Sequence, residues 1–144
     1  MEEGLTLIEI LIVIAIISFL LSICLPAFQK ARVKGLIVRT KMIISSIESA
    51  LSMYESDFGD YPQSKNTSKI LVELLQGPCD SPRWNGPYIK FKKDDIDKDG
   101  NIVDAWKNPI IYRYPQSAYK NIQYLIVSAG PDRKFGTSDD IGNW

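Results

Sequence analysis

The chain has 144 residues, and its 17 Lys and Arg residues balance its 17 Asp and Glu residues. A neutral chain argues against a nucleic-acid-binding protein, which would carry a surplus or a stripe of basic side chains. The sequence contains no histidine, which removes the commonest general base and the commonest ligand of transition metals. Cys24 lies in an apolar run and Cys79 in a distant polar segment, so no disulfide between them is predicted.

An apolar run from Leu5 to Phe28 opens the chain and contains one charged residue, Glu9. About 20 apolar residues in a helix cross the hydrocarbon core of a bilayer, so the run is long enough to span a membrane. A secretory signal peptide would have a basic segment before a shorter apolar core and a cleavage site after it. Here the preceding segment is acidic, and the small residue Gly4 comes before the run. An ordinary single-pass anchor is the alternative, and it gives Gly4 and Glu9 no role.

The segment "GLTLIE", residues 4–9, together with the apolar run after it, resembles the N-terminal signature of the type IV pilin and pseudopilin family. The resemblance implies that a prepilin peptidase cuts between Gly4 and Leu5 and methylates the new amino terminus. Residues 1–4 would then be a leader peptide, and residues 5–28 a transmembrane and assembly helix. Glu9 and Pro26 fall at characteristic positions of the family.

Glu9 is assigned to assembly. A carboxylate at membrane depth is costly unless it is paired, because an apolar medium penalises an isolated charge and strengthens the attraction between opposite charges. After cleavage, the α-amino group of Leu5 would supply the partner, within one subunit or between neighbours. The family usually has Phe where this chain has Leu5. The leader also lacks the basic residues expected on the cytoplasmic side, so the orientation of the helix rests on the resemblance.

A second, amphipathic half of the helix is predicted after Pro26, which is expected to kink it. Apolar residues recur at a spacing of three and four until Gly59 and Pro62 end the pattern. The apolar face carries Ile43, Ile47, Ala50, Leu51, Tyr54 and Phe58, and the polar face carries Lys41, Ser45, Glu48, Ser52 and Glu55. A short helix is predicted over "SKILVELLQ", which Gly77 and Pro78 stop.

Three short segments rich in Ile, Val and Tyr are predicted as strands: "YIKF", "NPIIYRYP" and "IQYLIVSAG". A small antiparallel sheet packed on the helix would bury their apolar faces. The predicted fold class is therefore α+β, with a long N-terminal helix packed on a small antiparallel β-sheet. The resemblance implies that residues 29–144 form a periplasmic, type IV pilin-like domain, whose helix extends to about residue 58.

Four blocks resemble the major, G-type pseudopilins of type II secretion systems, so that the likeness covers nearly the whole chain: "ALSMYESDFGDYP", "WNGPYIK", "DAWKNPIIYRY" and "SAGPDRKFGTSDDIGNW". The chain departs from that pattern at Ala105, where Pro is usual, and at Lys107, where Gly is usual. Glycine reaches positive φ cheaply and lysine does not, so the tightness of the turn at Lys107 is in question.

The C-terminal block gathers three carboxylates in one glycine-punctuated loop. Crowded carboxylates repel each other unless a cation lies among them, and calcium binds carboxylate and carbonyl oxygens. From the residues alone, a solvated loop that uses its own two basic side chains is an equal alternative. G-type pseudopilins bind calcium in this loop. The resemblance therefore implies Ca²⁺ as a cofactor, held by side chains of Asp132, Asp139 and Asp140 and by carbonyl groups of Ala129 and Thr137.

A second acidic loop, residues 95–104, begins like an EF-hand with Asp95, Asp97, Asp99 and Gly100. The twelfth position of that loop is Trp106, where an EF-hand has a bidentate glutamate. The favoured interpretation is a solvated turn between two strands, with the Asp-Gly pair at the bend. A second ion site is the alternative.

The function favoured by the resemblance is that of a major pseudopilin, a structural subunit of the periplasmic filament that drives type II protein secretion. Implied partners are further copies in a helical filament, minor pseudopilins, the prepilin peptidase and N-methyltransferase, and an inner-membrane assembly platform. The chain would cross the inner membrane once, with its C-terminal domain in the periplasm. The sequence has neither a phosphate-binding loop nor histidine, so no enzyme and no nucleic-acid partner is predicted. A major type IV pilin for adhesion, motility or DNA uptake and a membrane-anchored periplasmic binding module remain alternatives.

Overall fold

The computed structural model describes residues 6–144, so the predicted cleavage site at Gly4 and Leu5 lies outside the described residues. The first element is helix α1, Leu7–Phe58, a single α-helix of 52 residues that continues through Pro26. Among the described residues, α1 is the one helix long and apolar enough to cross a membrane. The chain divides into two compact units, one ending at Gly35 and the other spanning Leu36–Trp144.

Within the unit Leu36–Trp144, α1 buries one face. The helical spacing predicted from the sequence is confirmed at four positions, and Ile44 is buried in place of the predicted Ile43, which is partly buried. The buried helix residues join apolar side chains from the rest of this unit in one core: Ile44, Ile47, Ala50, Leu51, Tyr54, Leu71, Leu75, Ile102, Ile110, Tyr112, Ile126 and Ile141. Burying a Leu or Ile side chain contributes about 1.5–3 kcal/mol.

Glu48 departs from the predicted polar face of α1, because it is half-buried. Burial raises the pKa of its carboxyl, and the side chain of Asn143 partly offsets that shift. Asn143 belongs to the C-terminal segment, so this segment passes beside the helix at Glu48. The sequence pattern of α1 alone does not reveal this neighbour.

A three-stranded antiparallel sheet contains β1 (Ile111–Arg113), β2 (Leu125–Ser128) and β3 (Ile141–Gly142) in the order β1-β2-β3. Ile111 pairs with Val127, and Ser128 pairs with Ile141. All four residues of β2 are buried. The predicted fold class is confirmed, since the sheet shares the hydrophobic core with the helix.

The predicted strand "YIKF" is wrong. Residues 88–91 form no strand, and no strand pairs with them within the described part of the chain. The Tyr88 N–H donates to the Leu75 carbonyl at 2.9 Å, and the Phe91 N–H donates to the side-chain oxygen of Gln76 at 2.7 Å. The end of the second helix therefore supplies these hydrogen bonds. That helix comprises α2 (Lys69–Leu71) and a π-helical turn (Val72–Gln76).

Candidate functional site

Glu9, the predicted assembly residue, lies in the first turn of α1 and forms a capping box with Thr6. One carboxylate oxygen of Glu9, Oε2, accepts hydrogen bonds from the backbone N–H and the hydroxyl of Thr6, both at 3.3 Å. The Glu9 N–H faces the Thr6 hydroxyl oxygen at 3.4 Å. Such reciprocal bonds satisfy amide groups that the first turn of a helix leaves without partners. The Thr-x-x-Glu spacing is a sequence signal for this second role of Glu9.

The apolar side chains that follow Glu9 are exposed in the single chain. Their exposed fractions include 45% at Ile10, 66% at Phe19 and 72% at Phe28. A contiguous apolar surface of this size marks a segment that contacts lipid or other protein chains. The N-terminal part of α1 is therefore suited to membrane anchoring.

The three carboxylates predicted to bind calcium lie between β2 and β3. Asp139 contributes both of its oxygens to the loop, since Oδ2 accepts the Asp132 N–H at 3.1 Å and Oδ1 accepts the Thr137 hydroxyl at 2.7 Å. The hydrogen bond from Thr137 lowers the pKa of the Asp139 carboxyl. Asp140 Oδ2 accepts the Gly136 N–H at 2.7 Å. The loop thus places Asp132 beside Asp139 and stabilises an ionised Asp139.

Gly130 brings the two ends of this loop into contact. Its φ is 64°, and a β-carbon there would collide with the carbonyl oxygen of Asp139. Only glycine fits a backbone position with both properties. The neighbouring Ala129 is buried, and the Thr137 carbonyl accepts the Asp140 N–H at 3.4 Å. The two predicted carbonyl ligands therefore belong to the two segments that Gly130 holds together.

The donor chemistry of this loop fits calcium, because every candidate ligand is an oxygen. Asp140 Oδ1 is buried and has no hydrogen-bond partner among the described residues, an arrangement that a cation would relieve. Across residues 6–144, no three Asp, Glu, His or Cys side chains are grouped as ready metal ligands. Backbone N–H groups and the Thr137 hydroxyl instead occupy oxygens of the three carboxylates.

The second acidic loop uses its carboxylates in a hydrogen-bonded turn. Asp97 Oδ1 accepts the N–H groups of Asp99 and Asn101 at 2.9 and 2.8 Å. Asp95 forms an ion pair with Arg39 at 3.2 Å. Two of the three carboxylates that resemble an EF-hand are therefore engaged by protein groups. These contacts favour a turn over a second ion site.

The same turn follows immediately at residues 104–108, a repeat that the sequence prediction does not include. Asp104 Oδ1 accepts the N–H groups of Trp106 and Asn108 at 2.8 and 2.9 Å. In both turns the Asp N–H donates to the Asn carbonyl at 2.9 Å. The shared pattern Asp-x-x-x-Asn, in "DKDGN" and "DAWKN", is the sequence signal of the pair.

The fourth residue of each turn has a positive φ, 89° at Gly100 and 67° at Lys107. A left-handed backbone costs a residue with a β-carbon roughly 1–2 kcal/mol. We expect Lys107→Gly to raise the free energy of unfolding by about 1 kcal/mol, although it removes the ammonium that donates to the Asp94 carbonyl. Denaturation of the full chain in detergent, followed by circular dichroism, measures this change.

The control for this prediction is Lys107→Ala, which keeps the strained backbone and removes the same ammonium. It should be less stable than the wild type. Equal stability of the Gly and Ala variants would show that backbone strain at position 107 is not significant.

Comparisons with known proteins agree with this architecture. The family model of type II secretion system (T2SS) protein G matches residues 27–144. The type II secretion system core protein G of Escherichia coli K12 is 33% identical over 144 residues, which cover 99% of this chain and 91% of that protein. The protein of the same name from Pseudomonas aeruginosa is 32% identical over 150 residues, covering 99% of this chain and 95% of that protein.

A solved structure shares the fold. It is the crystal structure of the major pseudopilin from the type 2 secretion system of enterohaemorrhagic Escherichia coli, with a TM-score of 0.50 at 23% sequence identity. The match covers 81% of this chain and 92% of that chain. Because the family model matches most of the chain and these relatives are similar along nearly all of it, the chain belongs to the type II secretion system protein G family.

Proposed function

We propose that copies of this chain polymerise through α1 into the periplasmic filament of a type II secretion system, as its major pseudopilin. The observation that carries the proposal is the helix Leu7–Phe58, which begins with a carboxylate in its first turn and continues with exposed apolar side chains. In a filament, neighbouring helices would cover this surface. Before assembly, the lipid of the inner membrane would cover it, with the C-terminal domain in the periplasm.

The role proposed is structural and not catalytic. Asp57, for example, accepts a hydrogen bond from the Tyr88 hydroxyl at 2.6 Å, and this structural contact lowers the pKa of its carboxyl. The energy for filament growth would come from other components of the system. The partners proposed are minor pseudopilins, the prepilin peptidase and N-methyltransferase, and an inner-membrane assembly platform.

Calcium is the proposed cofactor of the loop between β2 and β3. Asp132, Asp139 and Asp140 would supply carboxylate oxygens, and Ala129 and Thr137 would supply backbone carbonyls. Support comes from the buried Asp140 Oδ1, which has no partner in the described part of the chain, and from the proximity of Asp132 to Asp139. The ion would neutralise these charges and hold the loop to the end of β2, a role that metals often take in small domains without disulfides.

Blocking the cleavage at Gly4 should abolish secretion. In a host with a prepilin peptidase, we expect a mature protein that begins at N-methylated Leu5. Gly4→Leu should leave an uncut precursor, because a bulky side chain keeps the backbone at the cut site from approaching the protease closely. Gly4→Ala should only slow the cleavage. Mass spectrometry of the intact protein, together with an assay of secreted protein, measures both effects.

Normal secretion by an uncut precursor would overturn the processing step. A wild-type chain that forms long surface fibres, in cells whose secretion is unaffected by its deletion, would favour a type IV pilin instead.

A further inference from the structure

A chain of buried hydrogen bonds leads from the turn at Asp104 to the C-terminal loop. Asp104 is 2% exposed, and its Oδ2 accepts the hydroxyl of Ser128, which is fully buried at the end of β2, at 2.7 Å. The Ser128 oxygen in turn accepts the N–H of Gly130 at 3.1 Å. A buried hydroxyl is costly unless it is hydrogen-bonded, and this one uses both its donor and an acceptor position.

At the start of this hydrogen-bond path, further contacts fix the position of Asp104. Its other oxygen accepts the N–H groups of Trp106 and Asn108, which close the turn. The next residue, Ala105, donates its N–H at 3.2 Å to the hydroxyl of Thr40, a fully buried residue of α1. The carboxylate is thereby fixed to both its own turn and the helix.

The Gly130 end is where the C-terminal loop begins to fold back on itself. Gly130 has positive φ, and its α-carbon faces the Asp139 carbonyl so closely that no side chain fits. The Gly130 carbonyl lies 3.4 Å from the Arg133 N–H, which closes the turn that carries Asp132. The orientation of Gly130 therefore decides where Asp132 lies relative to Asp139.

We propose that Asp104 and Ser128 are positioning residues for the C-terminal cation site: they fix the Gly130 backbone and so hold the oxygen ligands of the loop in place. This inference rests on the proposed calcium site. The path is Asp104 carboxylate, Ser128 hydroxyl, Gly130 N–H. Hydrogen-bond partners that orient metal ligands typically change affinity by roughly 10–100-fold when they are removed.

The test compares Ser128→Thr with Ser128→Val in the full chain in detergent micelles. Threonine and valine have nearly the same shape, so the cost of the additional methyl group is common to both, and only threonine keeps the hydroxyl. Calorimetric titration with CaCl₂ should give an affinity for Ser128→Thr within a few-fold of the wild type. The affinity of Ser128→Val should be roughly 10–100-fold weaker. Equal affinities for the two variants would overturn the proposal.

Hydrogen exchange of the amides in residues 130–140, measured in chelator, provides a second readout that does not depend on calcium. Exchange should be about tenfold faster in Ser128→Val than in Ser128→Thr, as expected for the loss of one well-placed hydrogen bond. Equal exchange rates would also overturn the positioning role. If the wild type takes up no calcium, the cofactor proposal fails, and these rates alone decide whether Ser128 orders the loop.

A core variant controls for a general loss of stability. Ile47 is fully buried and lies on α1, outside this hydrogen-bond path. Ile47→Val should destabilise the fold while leaving the calcium affinity within twofold of the wild type and the exchange of residues 130–140 nearly unchanged. A similar fall in calcium affinity in Ile47→Val would show that the effect at Ser128 is not specific.

Discussion

Replacing Glu9 with alanine is expected to abolish filament assembly while leaving insertion into the membrane intact. The variant helix loses its charge at membrane depth, which on insertion scales costs about 2.5–3.5 kcal/mol, so insertion should be as good as or better than in the wild type. Assembly should fail because the proposed ion pair between Glu9 and the mature amino terminus loses its anionic member. Fractionation of membranes and quantification of sheared filaments measure the two effects separately.

Glu9→Gln is the informative control, because the capping box gives Glu9 a second role. Glutamine can accept the same hydrogen bonds from Thr6, so it preserves the cap and removes only the charge. If the pairing with the amino terminus drives assembly, the Gln variant should fail as the Ala variant does. If the Gln variant forms filaments and the Ala variant does not, the role of Glu9 is to cap the first turn of the helix. Normal filaments from both variants would refute the assembly role.

Chelation of calcium is expected to lower the melting temperature of the full chain in detergent by roughly 10 °C. A ligand that binds only the native state stabilises it by about 2.7 kcal/mol at a hundredfold excess over its Kd, and 1 kcal/mol shifts the melting temperature of a domain of this size by about 4 °C. Without the ion, repulsion among the three carboxylates should loosen the loop between β2 and β3. Thermal unfolding with CaCl₂ or with chelator, followed by circular dichroism, measures the difference.

Two aspartate variants test whether the calcium-dependent change in melting temperature arises in the loop between β2 and β3. Asp139→Ala should abolish most of the calcium-dependent difference, because it removes a proposed ligand. Asp97→Ala should lower the melting temperature both with and without calcium, since two N–H groups lose their acceptor, and should leave the difference between the conditions unchanged. A wild-type melting temperature that does not respond to chelator would contradict calcium as the stabilising ion.

Local patterns in the sequence predicted the helix well. The apolar spacing along α1 identified Ile47 and Leu51 as core residues, because the helical period depends only on near neighbours along the chain. The contact between Glu48 and Asn143 could not be predicted, since the two residues lie far apart in sequence. Thr6 and Glu9 did carry a readable capping signal.

Strand pairing was harder to predict, because it depends on contacts between distant segments. Residues 88–91 have high β-propensity, yet no strand pairs with them in the described chain. Two of their N–H groups instead donate to oxygens at the end of the second helix. In contrast, β3 has two residues, Ile141 and Gly142, too few to produce an alternating pattern. The proposed calcium ligands were identified from the family resemblance and not from a local pattern. The hydrogen bond between Asp104 and Ser128 joins residues that no local motif connects.

The paired Asp-x-x-x-Asn turns have a practical consequence for labelling this subunit. Both are closed by the same internal bonds, but their tips differ in accessibility. Lys98 and Asp99 at the first tip are exposed, whereas Ala105 at the second is tied to the helix through Thr40. A fluorophore or short epitope at Lys98 would therefore leave both closures undisturbed and provide a handle for following single subunits during filament growth.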